Sequence, residues 1–206
     1  MATATDAKHF AAYFKKDSVV LFPTDTVVGI GCRFDSSEGI SKIRKLKGIV
    51  GKNPLAILIS DLSQLDHLKV RRSRLSNLLM QKFWPGGLTL VLTAEEAYPC
   101  SGEEHTIGLR MPDSEFLRKI IEAIGAPVAA TSVNLHGQPA AVRLSDVNEV
   151  FHNAADHTID FEQASNGLPS TVVKIEGGNL RIIREGSVTR KEIFDVVGEQ
   201  FESSGF

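Results

Sequence analysis

The sequence predicts a single α/β domain, a mixed sheet with helices packed on it. Short apolar runs bounded by Pro and Gly alternate with amphipathic helical stretches along the whole chain. The 206 residues are ample for one substantial core. No internal repeat, low-complexity segment or linker divides them, so 1–206 is expected to be one domain.

The elements follow in order. Asp6 to Lys16 reads as a helix with Phe10, Ala11 and Phe14 on one face. Val19-Val20-Leu21-Phe22 is a strand that stops at Pro23, which lacks the N–H a ladder needs. Ser36-Ser37-Glu38 opens a helix with Ile40, Ile43 and Leu46 inward and Lys42, Arg44 and Lys45 outward. Pro54 to Ile59 is a fully apolar strand of the kind buried on both faces. Leu75 to Phe83 is a helix ended by Trp84-Pro85-Gly86-Gly87. Strands follow at Leu88–Leu92 and His105–Arg110, then a helix at Ser114–Ile124 closed by Gly125, and a strand at Val128–Thr131. Ser170–Ile175 and Asn179–Arg184 flank Gly177-Gly178 as a hairpin, and a last helix starts near Thr189.

Composition excludes several classes. Hydrophobic content of 42% and charged content of 23% are those of an ordinary globular protein. The first residues lack the apolar core of a signal peptide, and no run reaches the ~20 apolar residues of a membrane span. Cys32 and Cys100 have neither metal spacing nor a disulfide framework, which predicts reduced thiols and a cytoplasmic protein. The six histidines show no H-x-x-x-H spacing, so no protein-bound metal is expected. A net charge of −2 gives no global pull toward nucleic acid. Cations do cluster locally: Lys42, Arg44, Lys45, Lys47 and Lys52, then Lys69, Arg71, Arg72 and Arg74, a basic surface suited to an anion.

Four polar breaks mark strand ends: PTDT (23–26), KNPL (52–55), TSVN (131–134) and PSTVV (169–173). A single break of this kind reads as a capped turn. Four together place Thr, Ser and Asn at the mouth of an open sheet, where charged small molecules bind. No G-x-x-x-x-G-K-[ST] or G-x-G-x-x-G loop is present, so phosphate would be held by Lys47, Lys52, Arg184 and hydroxyls. Arg110 and Arg184 each end an apolar run, and an arginine there grips a carboxylate or phosphate through two parallel bonds.

PTDTVVGIGC, KGIVGKNPLAILI, FWPGGLTLVL, TIGLRMPD, SVNLHGQP and PSTVV…RIIREGSV stand in the order and spacing of a known family. From about Val19 to Val188 the chain resembles the YrdC-like family, the threonylcarbamoyl-AMP synthases, in its short single-domain form. The resemblance implies a twisted open sheet of parallel and antiparallel strands with helices, around a deep basic cleft. It implies that L-threonine, bicarbonate and ATP, with Mg2+, give threonylcarbamoyl-adenylate and pyrophosphate. Transfer proteins then carry the threonylcarbamoyl group to adenosine 37 of tRNA. By matched position, Thr26, Arg110, Ser132 and Ser170 would bind threonine, with Arg110 on its carboxylate. Lys47, Asn53, Thr106, Asn134 and Arg184 would bind ATP. Lys47, Lys52, Ser132 and Asn134 would stand at the reacting groups. Thr24 and Asp25 would shape the threonine loop.

The chain departs from the family at Ile49, where an arginine is usual, at Val28 in place of an aromatic, and at Leu58 in place of a histidine. Lys52 or Arg44 is expected to supply the charge missing at Ile49. A second reading stays open: a paralogue that binds nucleotide, tRNA or double-stranded RNA in the cleft without making the adenylate.

Overall fold

The computed structural model describes residues 4–49, 51, 53–135 and 137–198. In chain order the first elements are α1 (Ala4–Ala11), β1 (Val20–Phe22), β2 (Gly29–Arg33), α2 (Ser37–Leu46), β3 (Ala56–Leu58), α3 (Gln64–His67) and α4 (Arg74–Phe83). Then come β4 (Leu88–Thr93), β5 (Thr106–Arg110), α5 (Glu115–Ile124), β6 (Val128–Ser132) and α6 (Glu149–Ala154). The chain closes with β7 (His157–Thr158), β8 (Thr171–Glu176), β9 (Asn179–Arg184) and α7 (Arg190–Val197). The strands form one sheet in the order β7-β1-β2-β6-β3-β5-β4-β8-β9. β1–β7, β3–β5 and β4–β8 are parallel and the remaining neighbours antiparallel, so the sheet is mixed as the sequence predicts.

Alternation along the strands sets the two faces apart. One face presents Ile30, Ile57, Leu88, Leu90, Ile107, Leu109 and Val173, and α2, α3, α4, α6 and α7 cover it with Ile43, Leu65, Leu79, Phe151 and Ile193. The opposite face is covered only in part. There α1 and α5 pack Ala7, Leu117, Ile120 and Ile121 on Val20, Phe22, Leu58, Val128 and Ala130. Beyond that cover the same face is bare, and it becomes the floor of a cleft lined by Ala56, Thr89, Val91, Gly108 and Val172.

The helix boundaries obey local capping. Ser36 accepts from Gly39 N, Ser73 forms a capping box with Ser76, and Ser114 accepts from Leu117 N. Gly125, at φ 71, closes α5 in the left-handed region.

Several boundaries differ from expectation. The first helix runs Ala4–Ala11 rather than Asp6–Lys16; single turns, Tyr13 N to Phe10 O and Phe14 N to Ala11 O, continue it far enough to bury Phe14. β2 was hidden by its glycines, which the sequence presents as a way out of a turn. Gly31 is there because β6 comes close: a Cβ would lie 2.7 Å from Ala129 O. α3, α6 and β7, of two to six residues, are too short to show a period. The Pro54–Ile59 run pairs only over Ala56–Leu58, and Ala56 is half-buried because it faces the cleft. The strand expected to begin at His105 begins at Thr106, since Glu103–His105 forms a 3-10 turn. Arg44, expected to look outward, is half-buried and donates to Gly51 O at 2.9 Å.

Candidate active site

The cleft has a volume of about 1050 Å3, room for a nucleotide beside a second small molecule. Thr26, Asn53, Thr106, Arg110, Ser132, Ser170 and Arg184 all line it. The polar breaks reach it from both strand directions. PTDT follows the end of β1 and TSVN straddles the end of β6, whereas KNPL precedes β3 and PSTVV leads into β8. The mixed sheet is what allows this.

PTDT is a self-contained turn. The Thr24 hydroxyl accepts from Thr26 N at 3.1 Å and Val27 N at 3.3 Å, and donates to Val27 O at 2.7 Å. Both threonines are buried, with their hydroxyls 3.0 Å apart. The turn presents Thr26 Oγ1 and the Asp25 carboxylate to Arg110. That guanidinium, 6% exposed, donates to Thr26 Oγ1 at 2.8 Å, to Asp25 Oδ1 at 2.6 Å and to Gly86 O at 2.9 Å. Burial weakens its hold on its proton, and Asp25 opposes that effect. One N–H on each nitrogen is committed in these bonds. A guanidinium has five, so each terminal nitrogen has a second donor beyond these bonds.

The Ser170 hydroxyl meets Thr89 Oγ1 at 2.8 Å, and its carbonyl accepts from Arg184 at 2.8 and 3.2 Å. Arg184 has its pKa lowered by burial and then by the positive charge of Arg110. Two guanidinium groups that repel one another across a half-enclosed cleft make a field that an anion relieves. Close backbone approach holds Arg184 in place: a Cβ on Gly186 would fall 2.1 Å from Pro169 O.

Ser132 donates to Asn134 Oδ1 at 3.1 Å. Lys47 and Asn134 are joined to each other outside the cleft lining: Lys47 Nζ donates to Asn134 Oδ1 at 2.6 Å and to its carbonyl at 2.7 Å. The Lys47 ammonium also lies 5.8 Å from the Phe151 ring centre. Burial lowers its pKa to about 8, against 10.5 ordinarily. Ile49 lines the cleft wall and packs on the core. Lys52 lies outside the described residues, so the expected replacement of the missing charge has no geometry here. Arg44 is committed to the carbonyls of Gly51 and Ser101 instead.

Sequence reasoning passed over Thr89, Lys174 and the Glu103-Glu104 pair, all of which line the cleft. Thr89 did leave a signal, a hydroxyl inside the apolar run LTLVL that is 3% exposed. Among the described residues no three acidic, His or Cys side chains gather as a metal site, and no helix is long and apolar enough to cross a membrane. Cys32 and Cys100 are free, buried thiols, both pushed up to about 12 chiefly by burial.

The model of the Sua5/YciO/YrdC family, described as "Telomere recombination", matches residues 12–186. The chain belongs to this family. A Bacillus subtilis member called threonylcarbamoyl-AMP synthase is 32% identical over 197 residues, covering 91% of this chain and 55% of its own. A Pyrococcus abyssi member of the same name is 34% identical over 191 residues, covering 92% and 56%. The chain thus spans just over half the length of these two relatives. The crystal structure of P. abyssi Sua5 complexed with L-threonine superposes with a TM-score of 0.87 at 32% identity, over 96% of this chain and 58% of that one. Escherichia coli YciO gives 0.82 at 22% identity over 93% and 94%, a likeness of fold alone.

Proposed function

We propose that the protein is a threonylcarbamoyl-AMP synthase. The observation that carries this is one cleft lined by two cationic groups with distinct hydroxyl partners, the buried Arg110 with Thr26 and the more exposed Arg184 with Ser170. The names of the Bacillus and Pyrococcus relatives and the threonine complex of Sua5 support it.

In this reading Arg110 takes the threonine carboxylate, with Thr26, Ser132 and Ser170 around the amino acid. Arg184, Thr106 and Asn53 in the cleft take the nucleotide, and the Lys47–Asn134 pair outside the cleft lining is expected to reach its phosphates. The threonine amine and bicarbonate give a carbamate and water; a carbamate oxygen attacks the α-phosphate, and pyrophosphate leaves. The nucleophile is the carbamate, so no side chain has to form a covalent intermediate. The protein contributes position and charge neutralisation. ATP would enter as its magnesium complex, the ion held mainly through the phosphates and supplying charge neutralisation there. The adenylate then serves transfer proteins that modify tRNA in the cytoplasm.

Pyrophosphate release from ATP, with threonine and bicarbonate omitted in turn, tests the proposal. Release that needs both is expected. Release indifferent to threonine, or none with all three present, overturns it.

A further inference from the structure

The Thr24 hydroxyl satisfies groups inside the PTDT turn, but the carbonyls of Asp25 and Thr26 are satisfied from outside it. A strand-free segment, 161–170, crosses there. Asn166 N donates to Asp25 O at 3.1 Å, and the half-buried Ser165 donates its hydroxyl to Thr26 O while accepting from Gly167 N at 3.2 Å. Asn166 Oδ1 then caps Leu168 N at 3.0 Å, and Pro169 O accepts from Ser187 N at 2.9 Å. The segment ends at Ser170, which bonds Thr89 and Arg184.

These two bonds fix the peptide planes on either side of the Thr26 α-carbon. Their orientation decides where the Asp25 carboxylate and the Thr26 hydroxyl project, and those two groups aim Arg110. We infer that Ser165 is a positioning residue of the amino-acid end of the cleft, acting through the Thr26 carbonyl on the donors that Arg110 presents to a carboxylate. The inference rests on the synthase reading for the identity of that carboxylate, threonine's, and adds a residue outside the cleft lining to the machinery. It also assigns the segment two separable ends. Ser165 bonds the turn that aims Arg110, and Ser170 bonds Thr89 and Arg184.

Ser165→Ala and Ser165→Thr, titrated separately with L-threonine and with ATP, test this. Loss of one hydrogen bond predicts about three- to tenfold weaker threonine binding in Ser165→Ala. ATP affinity is expected to stay within twofold, and Ser165→Thr, which keeps the hydroxyl, to restore threonine binding. Amide hydrogen exchange gives a second reading that needs no ligand. In Ser165→Ala it is expected to quicken at Thr26 and Val27 and to stay unchanged at 171–173. Unchanged threonine affinity, equal losses for both ligands, or unchanged exchange at Thr26 and Val27 overturns the inference. A parent protein that binds no threonine, with exchange altered as expected, refutes the synthase reading and leaves Ser165 as the residue that positions the turn.

Discussion

Arg110 is the residue on which the cleft turns. A guanidinium this far from water is costly unless its charge is met. Asp25 meets it at 2.6 Å, with the two side chains 7% and 12% exposed. Asp25→Asn keeps the shape and removes the charge, so it is expected to cost about 3 kcal/mol of stability by leaving a buried cation unpaired. Denaturant titration measures this, and an Asp25→Asn/Arg110→Met double variant should lose less than the sum of its singles. Asp25→Asn as stable as the parent would contradict the pairing.

Lys47 gives a pH prediction at the same scale. Its pKa is lowered to about 8, so between about 8 and 10.5 the unfolded chain holds the proton that the folded one has shed. Its contribution to stability therefore rises with pH across that window. Phosphate favours the charged lysine, which gives ATP binding the opposite trend. Affinity should fall as pH rises past about 8, with a proton taken up on binding, and Lys47→Arg should flatten the fall. Calorimetric titration from pH 7 to 9.5 checks it; parent and variant with the same slope would show that Lys47 does not meet the phosphates.

At the scale of elements, the hairpin β8–β9 delivers Ser170 and Arg184 together. Its exit at Gly186 passes so near Pro169 that a methyl group has no space. Gly186→Ala must push the end of β9 away from Ser170. It is expected to weaken ATP binding at least tenfold and to lower the melting temperature, while Gly177→Ala, with nothing within 4 Å of its Cβ, pays only for its left-handed φ of 57. Equal ATP affinities in the two variants would mean that the hairpin exit does not set the arginine. Elements with a strong period or clear punctuation, such as α4, α5 and β8–β9, were legible in the sequence to within a few residues. β2 was not, because Gly31 answers to Ala129 on a neighbouring strand distant in sequence and Gly29 to the Phe22 ring on β1. The site was legible as a set of breaks and two arginines. The Lys47–Asn134 bond and the role of Ser165 were not, since they depend on contacts 87 and 139 residues apart.

For the whole molecule, function follows from incomplete cover of one sheet face. Helices close one side fully; α1 and α5 close only part of the other, and the bare remainder becomes the cleft. The central claim is that amino acid, bicarbonate and nucleotide meet there and leave joined. Incubation of the protein with tritiated L-threonine, [14C]bicarbonate and [α-32P]ATP, followed by rapid separation of nucleotides, tests it most directly. The account predicts one new nucleotide carrying all three labels, lost in Arg110→Ala. A labelled AMP product without carbon-14 and tritium, formed equally by Arg110→Ala, would contradict it.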